Sequence, residues 1–312
     1  MPLPRGGACP PPLPPFYPHP APCPLPPPPS AGGKPTLIDF NFDFAPGTRT
    51  LLIGENGTGK STLLRILAGN HLARGGGASV TVLGREAYFD TSLNELRAYC
   101  GTDWGRRAIA FQGHTTLTAD IGVSEMMAGL QAQYPARRDE LVELLGVDPK
   151  WRMHQLSDGQ RRRVQIMLQL LRPVQLLLLD EITTDLDLIT RQDFLKHLQL
   201  MSERDGVTVV YATHIFDGLD DWPTHIAQIS EGRLARCCAA GDVPELAAAR
   251  AAGIPAPLLR TIESWMRAER AAKVAAGKSV KEVAAAVAAQ ELRGGLGNGY
   301  LPGRIASQGG RA

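Results

Sequence analysis

The sequence lacks long apolar runs and has little net charge. No stretch of about 18 or more apolar residues occurs among the 312 residues, which excludes a transmembrane helix. Lys and Arg total 33 and Asp and Glu total 31, a net charge of +2, so the chain has no field of the kind a dedicated nucleic-acid binder carries. An apolar content of 44% with 21% charged residues is ordinary for a globular protein with a sizeable core.

Cysteine is scarce, and its pattern excludes two kinds of structural site. The five cysteines are odd in number and none forms a C-x-x-C pair, which argues against a disulfide framework and against a zinc site. The N-terminus lacks the apolar stretch of a signal peptide and the amphipathic pattern of a transit peptide. We therefore expect a cytoplasmic protein, or a nuclear one.

Proline divides the chain. Sixteen of the 25 prolines fall within the first 35 residues, so 1–34 is predicted to be a disordered or polyproline II extension. A globular domain is predicted over 35–238, with a helical subdomain at about 115–172. Beyond it, 239–312 is alanine-rich, predicted to be helical to about Leu292 and to end in a flexible, glycine-rich tail.

Strands and helices alternate through the predicted domain. After alternating hydrophobicity at Leu37–Phe44, strands are predicted at Thr48–Ile53, Val80–Leu83, Ala108–Gln112, Gln175–Asp180, Val207–Ala212 and His225–Ile229. Helices are predicted at Ser61–Ala68, Val123–Gln133, Arg138–Leu145, Gly159–Leu171 and Leu188–Arg204. This order indicates an α/β fold with a mostly parallel central sheet.

A glycine-rich loop follows the strand that ends at Ile53. It satisfies G-x-x-x-x-G-K-[ST] and opens a helix, the setting in which that motif binds phosphates. Backbone N–H groups wrap the phosphates, the lysine reaches the β- and γ-phosphates, and the serine hydroxyl holds Mg²⁺. The predicted nucleotide-binding residues of this phosphate loop are Gly54, Asn56, Gly57, Thr58, Gly59, Lys60, Ser61 and Thr62.

The apolar strand Leu176–Leu179 is followed by two carboxylates, Asp180 and Glu181. A buried strand often ends at a polar residue, so by itself this pattern has no functional meaning. In a chain that also has a phosphate loop, the same pattern indicates a catalytic and metal-binding pair. Asp180 is then expected to hold Mg²⁺ through a water molecule, and Glu181 to act as the general base that orients the attacking water.

Between these motifs lies Leu156-Ser157-Asp158-Gly159-Gln160, at the start of a predicted helix. By itself it fits a capping box, in which Ser157 and Gln160 satisfy each other's backbone donors. In this position it resembles the LSGGQ signature of ABC (ATP-binding cassette) ATPases. The other marks of that family are present in order along the chain: Gln112, before this segment, for the Q-loop, and after it Thr184–Asp187 for the D-loop and His214 for the switch histidine.

The resemblance covers about 35–236 and implies a P-loop NTPase fold of the ABC type, with a small antiparallel β part and an inserted helical subdomain. It implies an ATP hydrolase that uses ATP and Mg²⁺. Catalytic roles would fall to Glu181, His214 and Gln112, with Gln112 also near the metal. Two copies, or this chain and another ABC domain, would sandwich two ATP molecules, with Ser157, Gly159, Gln160 and Asp187 facing the nucleotide of the partner.

Departures from the usual pattern narrow the family. Asp158 replaces the first glycine of the signature and should weaken phosphate binding unless it points away or Arg161, Arg162 or Arg163 offsets it. Ile182 replaces the usual proline and Asp185 the usual alanine. The strings Ser157–Gln165 and Tyr211–Leu219 are similar to the soluble eukaryotic branch without transmembrane domains, the plant-type subfamily I and its fungal counterpart in a transcription-regulatory, mRNA-deadenylating complex.

One family feature is missing. Pro24–Gly33 holds no aromatic residue to stack on adenine, so either adenine is held without that contact or this N-terminus replaces a lost segment. Besides the ATP-switched dimer in a cytosolic or nuclear complex, two functions stay open: the separately encoded ATPase subunit of a transporter, and an adaptor that binds nucleotide without turnover. No motif identifies the protein partner.

Overall fold

The computed structural model describes residues 36–73, 78–101, 104 and 120–275. Its main element is a six-stranded sheet in the order β4-β5-β6-β1-β7-β8, in which all neighbouring strands are parallel except the antiparallel pair β7–β8. A separate two-stranded antiparallel sheet pairs β2 with β3. The strands are β1 (Arg49–Ile53), β2 (Thr81–Val82), β3 (Arg85–Glu86), β4 (Arg97–Cys100), β5 (Leu176–Asp180), β6 (Thr208–Ala212), β7 (His225–Ser230) and β8 (Arg233–Ala239).

Seven α-helices belong to the described residues, and most lie between successive strands. They are α1 (Lys60–Leu67), α2 (Val123–Gln131), α3 (Pro135–Leu145), α4 (Asp158–Leu170), α5 (Leu188–Asp205), α6 (Pro244–Ala251) and α7 (Pro257–Ala275). Helices α2 to α4 lie between β4 and β5 in the chain. Within the ranges described, no helix is both long enough and apolar enough to cross a membrane.

The central strands are buried on both faces, which explains their continuous apolar sequences. In β5, Leu177 and Leu179 belong to one buried cluster while Leu176 and Leu178 belong to the other. The first cluster contains side chains of α2 to α7, and the second contains side chains of α1 and β2. Helices on both faces therefore hold the carboxyl ends of β1, β5 and β6 at one edge of the sheet.

The structure confirms five of the six predicted strands and all five predicted helices, with boundaries displaced by up to three residues. The sixth, Ala108–Gln112, lies outside the described residues. The alternating segment Leu37–Phe44 forms no regular strand; its backbone contact is Ile38 N–H donating to Gly232 O at 2.8 Å. Alternation alone does not form a strand where no neighbouring edge accepts its full ladder.

Three of the described strands escaped prediction: β3, β4 and β8. β3 has only two residues and pairs with β2. β4 is only four residues long and begins with an arginine, and β8 carries two arginines and two alanines. Both β4 and β8 form because a buried neighbouring strand has a free edge to pair with: β4 pairs with β5, and β8 pairs with β7. The β7–β8 turn has positive φ at Glu231 (48°) and Gly232 (79°), the conformation of a two-residue hairpin.

Candidate functional site

The phosphate loop leaves β1 in a conformation that only glycine adopts without strain. Gly54, Gly57 and Gly59 have φ values of 152°, 79° and 110°. A Cβ added at Gly54 would lie 2.4 Å from the carbonyl oxygen of Ile229 and 2.8 Å from Thr58 Oγ1. The glycines therefore allow the loop to pass close against β7 and keep its inner face free of side chains, as a cradle for phosphate groups requires.

Lys60 begins α1 and is buried, with 7% of its surface exposed. Its Nζ donates to the carbonyl oxygens of Gly54 (2.7 Å) and Glu55 (3.0 Å), which holds the ammonium inside the loop. Burial lowers the pKa of Lys60, and the nearby carboxylates of Glu181, Asp180 and Glu55 oppose that shift. The loop thus contains one desolvated cation close to acidic groups.

The other predicted loop residues occupy three different environments. Asn56 and Gly57 are exposed at the tip of the loop. Thr58 is buried, and its hydroxyl donates to the carbonyl oxygen of Glu55 at 2.9 Å. Thr62 lies in the first turn of α1, partly exposed.

Asp180 ends β5 opposite the phosphate loop. The Ser61 hydroxyl donates to Asp180 Oδ1 at 3.0 Å, and the Tyr99 hydroxyl donates to Oδ2 at 3.2 Å. Burial raises the pKa of Asp180, while these hydrogen bonds and the nearby Arg65 and Lys60 act in the opposite direction. The contact joins β5 to α1 across the space between the two motifs.

Ser61 and Asp180 form a donor set that suits Mg²⁺. A hydroxyl and a carboxylate oxygen 3.0 Å apart are hard oxygen ligands, and this ion prefers such ligands beside phosphates. The residues present therefore fit the metal that the sequence predicted. The third predicted ligand, Gln112, lies outside the described residues, so its role stays a prediction.

Glu181 follows Asp180 and turns sharply out of the strand. Its φ of 52° is a left-handed conformation that non-glycine residues rarely adopt, and its N–H donates to Ala212 O at 3.0 Å. The carboxylate meets His214: the His214 backbone N–H donates to Oε2 at 3.3 Å, and Nε2 lies 3.2 Å from Oε1. Oε1 is buried and accepts no hydrogen bond from the described residues, so it can still accept one from a water molecule.

The electrostatics of this pair depend on burial. Burial raises the pKa of Glu181, and the hydrogen bond from the His214 backbone limits the rise. Burial also lowers the pKa of His214, and the Lys60 charge adds to that effect. A neutral imidazole is therefore placed beside a carboxyl group of enhanced basicity, an arrangement able to position a water and to accept a proton.

The predicted signature segment caps α4. Ser157 Oγ accepts from Gln160 N–H at 3.3 Å, and Gln160 Oε1 accepts from Ser157 N–H at 2.9 Å, which completes a capping box. Gly159 lies against the following motif: a Cβ there would be 2.8 Å from Asp185 O. Within this single chain the segment contacts the D-loop, and its predicted role toward a nucleotide on a partner stays a prediction.

Each acid near the signature has a basic partner on α4. Arg161 Nη1 lies 3.1 Å from Asp158 Oδ1, so Asp158 is offset by one of the arginines that the sequence nominated. Arg162 and Arg163 reach the D-loop instead, and the contact of Arg163 is the longer of the two. The three pairs are Arg161–Asp158 (3.1 Å), Arg162–Asp185 (2.9 Å) and Arg163–Asp187 (3.8 Å). The carboxylates that depart from the usual signature and D-loop are therefore neutralised locally.

Asp187 has a structural role in addition to its predicted one. It is the N-cap of α5: Oδ1 accepts from Thr190 N–H at 3.0 Å and Oδ2 accepts from the Thr190 hydroxyl at 2.8 Å. These hydrogen bonds lower the pKa of Asp187 and keep it ionised. A partner nucleotide would thus meet a carboxylate whose orientation is already fixed.

Sequence reasoning missed Tyr99 and Glu55. Tyr99 reaches Asp180 from β4, a strand too short to predict from its periodicity. Glu55 occupies an unspecified position of the phosphate-loop motif, yet its carbonyl oxygen accepts from both Lys60 and Thr58. Chain direction could have nominated Tyr99, because parallel strands end at one edge of the sheet.

Comparison with known proteins agrees with this geometry. The ABC transporter family model matches residues 37–184. The chain is 46% identical over 242 residues to ABC transporter I family member 20 of Arabidopsis thaliana, covering 77% of this chain and 71% of that protein. It is 39% identical over 215 residues to CCR4-associated factor 16 of Saccharomyces cerevisiae, covering 64% of this chain and 71% of that protein.

Solved structures share the fold at low sequence identity. The dimeric structure of a bacterial ABC transporter cassette is 21% identical, with a TM-score of 0.55, covering 65% of this chain and 90% of that chain. The ATP-binding subunit of an ABC transporter is 19% identical, with a TM-score of 0.59, covering 74% of this chain and 93% of that chain.

Proposed function

The chain belongs to the ABC family of ATP-binding domains, in the eukaryotic branch of the plant I-family members and yeast CCR4-associated factor 16, and from this we propose that it hydrolyses ATP as an ATP-sandwiched dimer. The observation that carries the proposal is the convergence of Lys60, Ser61, Asp180, Glu181 and His214 at one edge of the sheet. Together they supply a lysine for the phosphates, a hydroxyl and a carboxylate for Mg²⁺, and a group that can orient the attacking water, which are recurring parts of ATP hydrolysis at a phosphate loop.

In the proposed mechanism, Lys60 and the loop N–H groups hold the phosphates, and Ser61 and Asp180 hold Mg²⁺. The bound ion would neutralise charge that develops on the phosphates. Glu181 orients the attacking water and takes its proton at the carboxylate. His214, whose pKa is lowered by partial burial and by the Lys60 charge, holds the Glu181 carboxylate in place through its backbone N–H. Rapid turnover also requires water to be excluded, which we assign to the partner's signature segment.

Turnover by the purified chain tests the catalytic assignment. Glu181→Gln should slow ATP hydrolysis by at least about 100-fold, because the general base is lost, while nucleotide binding survives. The matched control is Glu143→Gln, an exposed glutamate on α3, which should leave turnover unchanged. Unchanged turnover in Glu181→Gln would remove this residue from the role of base, and absent turnover in the natural protein would favour the nucleotide-binding adaptor.

Dimerisation needs a separate test, since Ser157 both caps α4 and belongs to the signature. Asparagine caps helices about as well as serine, so Ser157→Asn should keep the thermal stability. If Ser157 also contacts the partner's nucleotide, the variant should lose the ATP-dependent dimer that size-exclusion chromatography detects in a Glu181→Gln background. A retained dimer would leave Ser157 with the capping role alone.

We propose that this ATPase acts in a protein complex in the cytosol or nucleus. The name of the yeast relative, CCR4-associated factor 16, supports association with another protein. The second candidate, the ATPase subunit of a membrane transporter, is favoured by matches of about 30% identity to bacterial import ATP-binding proteins. Fractionating cells under ATP-retaining conditions separates them. Recovery of the native protein with an integral membrane partner would overturn the first assignment, and recovery with non-membrane partners would support it.

A further inference from the structure

A buried cluster of charges joins the last described helix to the phosphate loop. Lys273 Nζ on α7 lies 2.9 Å from Glu55 Oε2 and 2.5 Å from Glu269 Oε1. The side chains of Lys273, Glu55 and Glu269 are only 11%, 17% and 13% exposed. Lys273 and Glu55 are 218 positions apart in sequence, so the fold alone brings them together.

Glu55 is held from two directions. Its carbonyl oxygen accepts from Lys60 Nζ and from the Thr58 hydroxyl, two residues predicted to contact the nucleotide. Its side chain points the other way, to Lys273 and, at 3.8 Å, to Nε of Arg270. Since backbone and side chain belong to one residue, fixing the carboxylate also fixes the carbonyl that Lys60 and Thr58 contact.

The helix itself is anchored to the sheet beside the loop. Glu269 accepts from Gln228 Nε2 at 2.8 Å and from the Ser230 hydroxyl, both on β7. One turn earlier, Trp265 is buried, with the Arg236 guanidinium 4.1 Å from its ring centroid. β7 pairs directly with β1, the strand that leads into the phosphate loop. Since α7 is anchored to β7, the position of Lys273 is fixed relative to that loop.

The charge of Glu55 affects nucleotide binding, and its contact with Lys273 controls that effect. A carboxylate in a phosphate loop repels phosphates, and a half-buried one is poorly screened by water. Lys273 and Arg270 neutralise Glu55 from the outer side of the loop. Removing Lys273 leaves Glu55 with Arg270 alone, which is 71% exposed and 3.8 Å away. Most of the compensation of a largely buried charge is then lost, which costs more than the loss of an exposed pair.

We propose that Lys273 is a positioning residue for nucleotide binding: from α7 it neutralises and orients Glu55, and thereby sets the affinity of the phosphate loop. The proposal rests on the proposed function, because it assumes that this loop binds ATP. It makes α7 part of the nucleotide site, although the family model ends at residue 184, before this helix.

The test uses the full chain and measures the Kd of a fluorescent ATP analogue alongside the thermal midpoint. Lys273→Met keeps the length of the side chain and removes its charge, and the Kd should rise by about tenfold, the effect of one uncompensated charge at close range. Lys273→Arg should keep near-normal affinity. The matched control is Arg267→Met, which breaks an i,i+4 pair with Glu263 on the same helix, where Arg267 is 77% exposed.

The double variant Glu55→Gln/Lys273→Met shows whether the effect passes through Glu55. Glu269 loses its Lys273 partner in the single and the double variant alike and keeps its hydrogen bonds from Gln228 and Ser230. The two variants therefore differ only at Glu55, and the double variant should recover most of the affinity that Lys273→Met loses. The double variant can also be measured if Lys273→Met alone fails to fold, because it lacks the Glu55 carboxylate whose charge Lys273→Met leaves without its main partner. The recovery distinguishes a positioning role from a stabilising one, because a purely structural loss would lower the thermal midpoint and leave the Kd unchanged.

Three results would overturn the inference: a Kd for Lys273→Met within twofold of the natural protein, a lowered midpoint with unchanged Kd, or a double variant that binds as weakly as the single one. Failure of the proposed function looks different. In that case the natural protein itself would not bind the analogue, or Lys60→Ala would bind it equally well.

Discussion

Replacing Arg162 should destabilise the protein far more than replacing its neighbour Arg161. Arg162 is 12% exposed, and Nε and Nη2 both donate to Asp185 Oδ2, at 3.0 and 2.9 Å. Nη1 also donates to Gln165 Oε1 at 2.7 Å and to Gly101 O at 3.1 Å. The side chain therefore ties α4 both to the D-loop and to the end of β4.

The magnitude follows from what Arg162→Met leaves behind. Gln165 is 1% exposed, so its Oε1 becomes a buried acceptor without this donor, at a cost of about 1–3 kcal/mol. Asp185 is 38% exposed and regains water, so losing its charged partner adds only about 1 kcal/mol. The Gly101 carbonyl keeps Gln165 Nε2 at 2.9 Å and adds little. The free energy of unfolding should fall by about 2–4 kcal/mol, and the thermal midpoint by roughly 5–12 °C.

Urea unfolding at neutral pH measures the difference, and an unchanged m-value would assign it to stability. Arg161→Met is the control, because the partner of Arg161 is Asp158, whose side chain is 89% exposed; the expected loss is about 0.5 kcal/mol or less. Equal losses in the two variants would refute the reasoning, because burial would then not separate two ion pairs of similar length on one helix.

Three further predictions concern single residues. Burial raises the pKa of Glu181 above its ordinary 4.5, so the ionised carboxylate disfavours folding. Glu181→Gln should therefore increase the free energy of unfolding at about pH 7.5. Urea titrations should show this gain shrinking as the pH falls toward 4.5. Gly54→Ala would place a methyl group 2.4 Å from Ile229 O, and thermal unfolding should show a loss of about 2–4 kcal/mol; a loss below about 1 kcal/mol would mean that the loop moves freely. Burial raises the pKa of the Cys100 thiol to about 12, so iodoacetamide at pH 8 should modify it only after unfolding in urea, as mass spectrometry of its peptide would report.

The sequence predicted those features whose cause is local. A phosphate loop needs glycines and a lysine at fixed spacing, so its residues identify it by themselves. The strands β1, β5 and β6 are predictable because helices cover both faces of the sheet. Side chains on both faces are then buried, so the strand sequences are continuously apolar. The comparisons confirm the family and the fold that these patterns indicated.

Features that depend on distant partners could not be predicted in this way. β4 and β8 have weak strand sequences and form because β5 and β7 offer them free edges. Tyr99 becomes part of the site only through that pairing, which brings its hydroxyl to Asp180. Conversely, Leu37–Phe44 has the alternation of a strand but makes a single backbone contact, from Ile38 to Gly232, in place of a ladder, so the alternation did not correspond to a strand.

The charges around the site show how local motif and distant partner combine. A site for phosphate should avoid carboxylates other than the catalytic ones, yet this chain has four near it. Glu55 lies in the phosphate loop, Asp158 and Asp185 depart from the usual signature and D-loop residues, and Asp187 belongs to the D-loop. Each has a cation within 4 Å: Glu55 with Lys273, Asp158 with Arg161, Asp185 with Arg162, and Asp187 with Arg163. Because attraction within a pair offsets the repulsion that its acid would exert on phosphate, the acid and the base form one functional unit. Replacing either member alone should therefore disturb nucleotide binding or stability more than replacing both, and most of all where the pair is buried, as with Glu55 and Lys273.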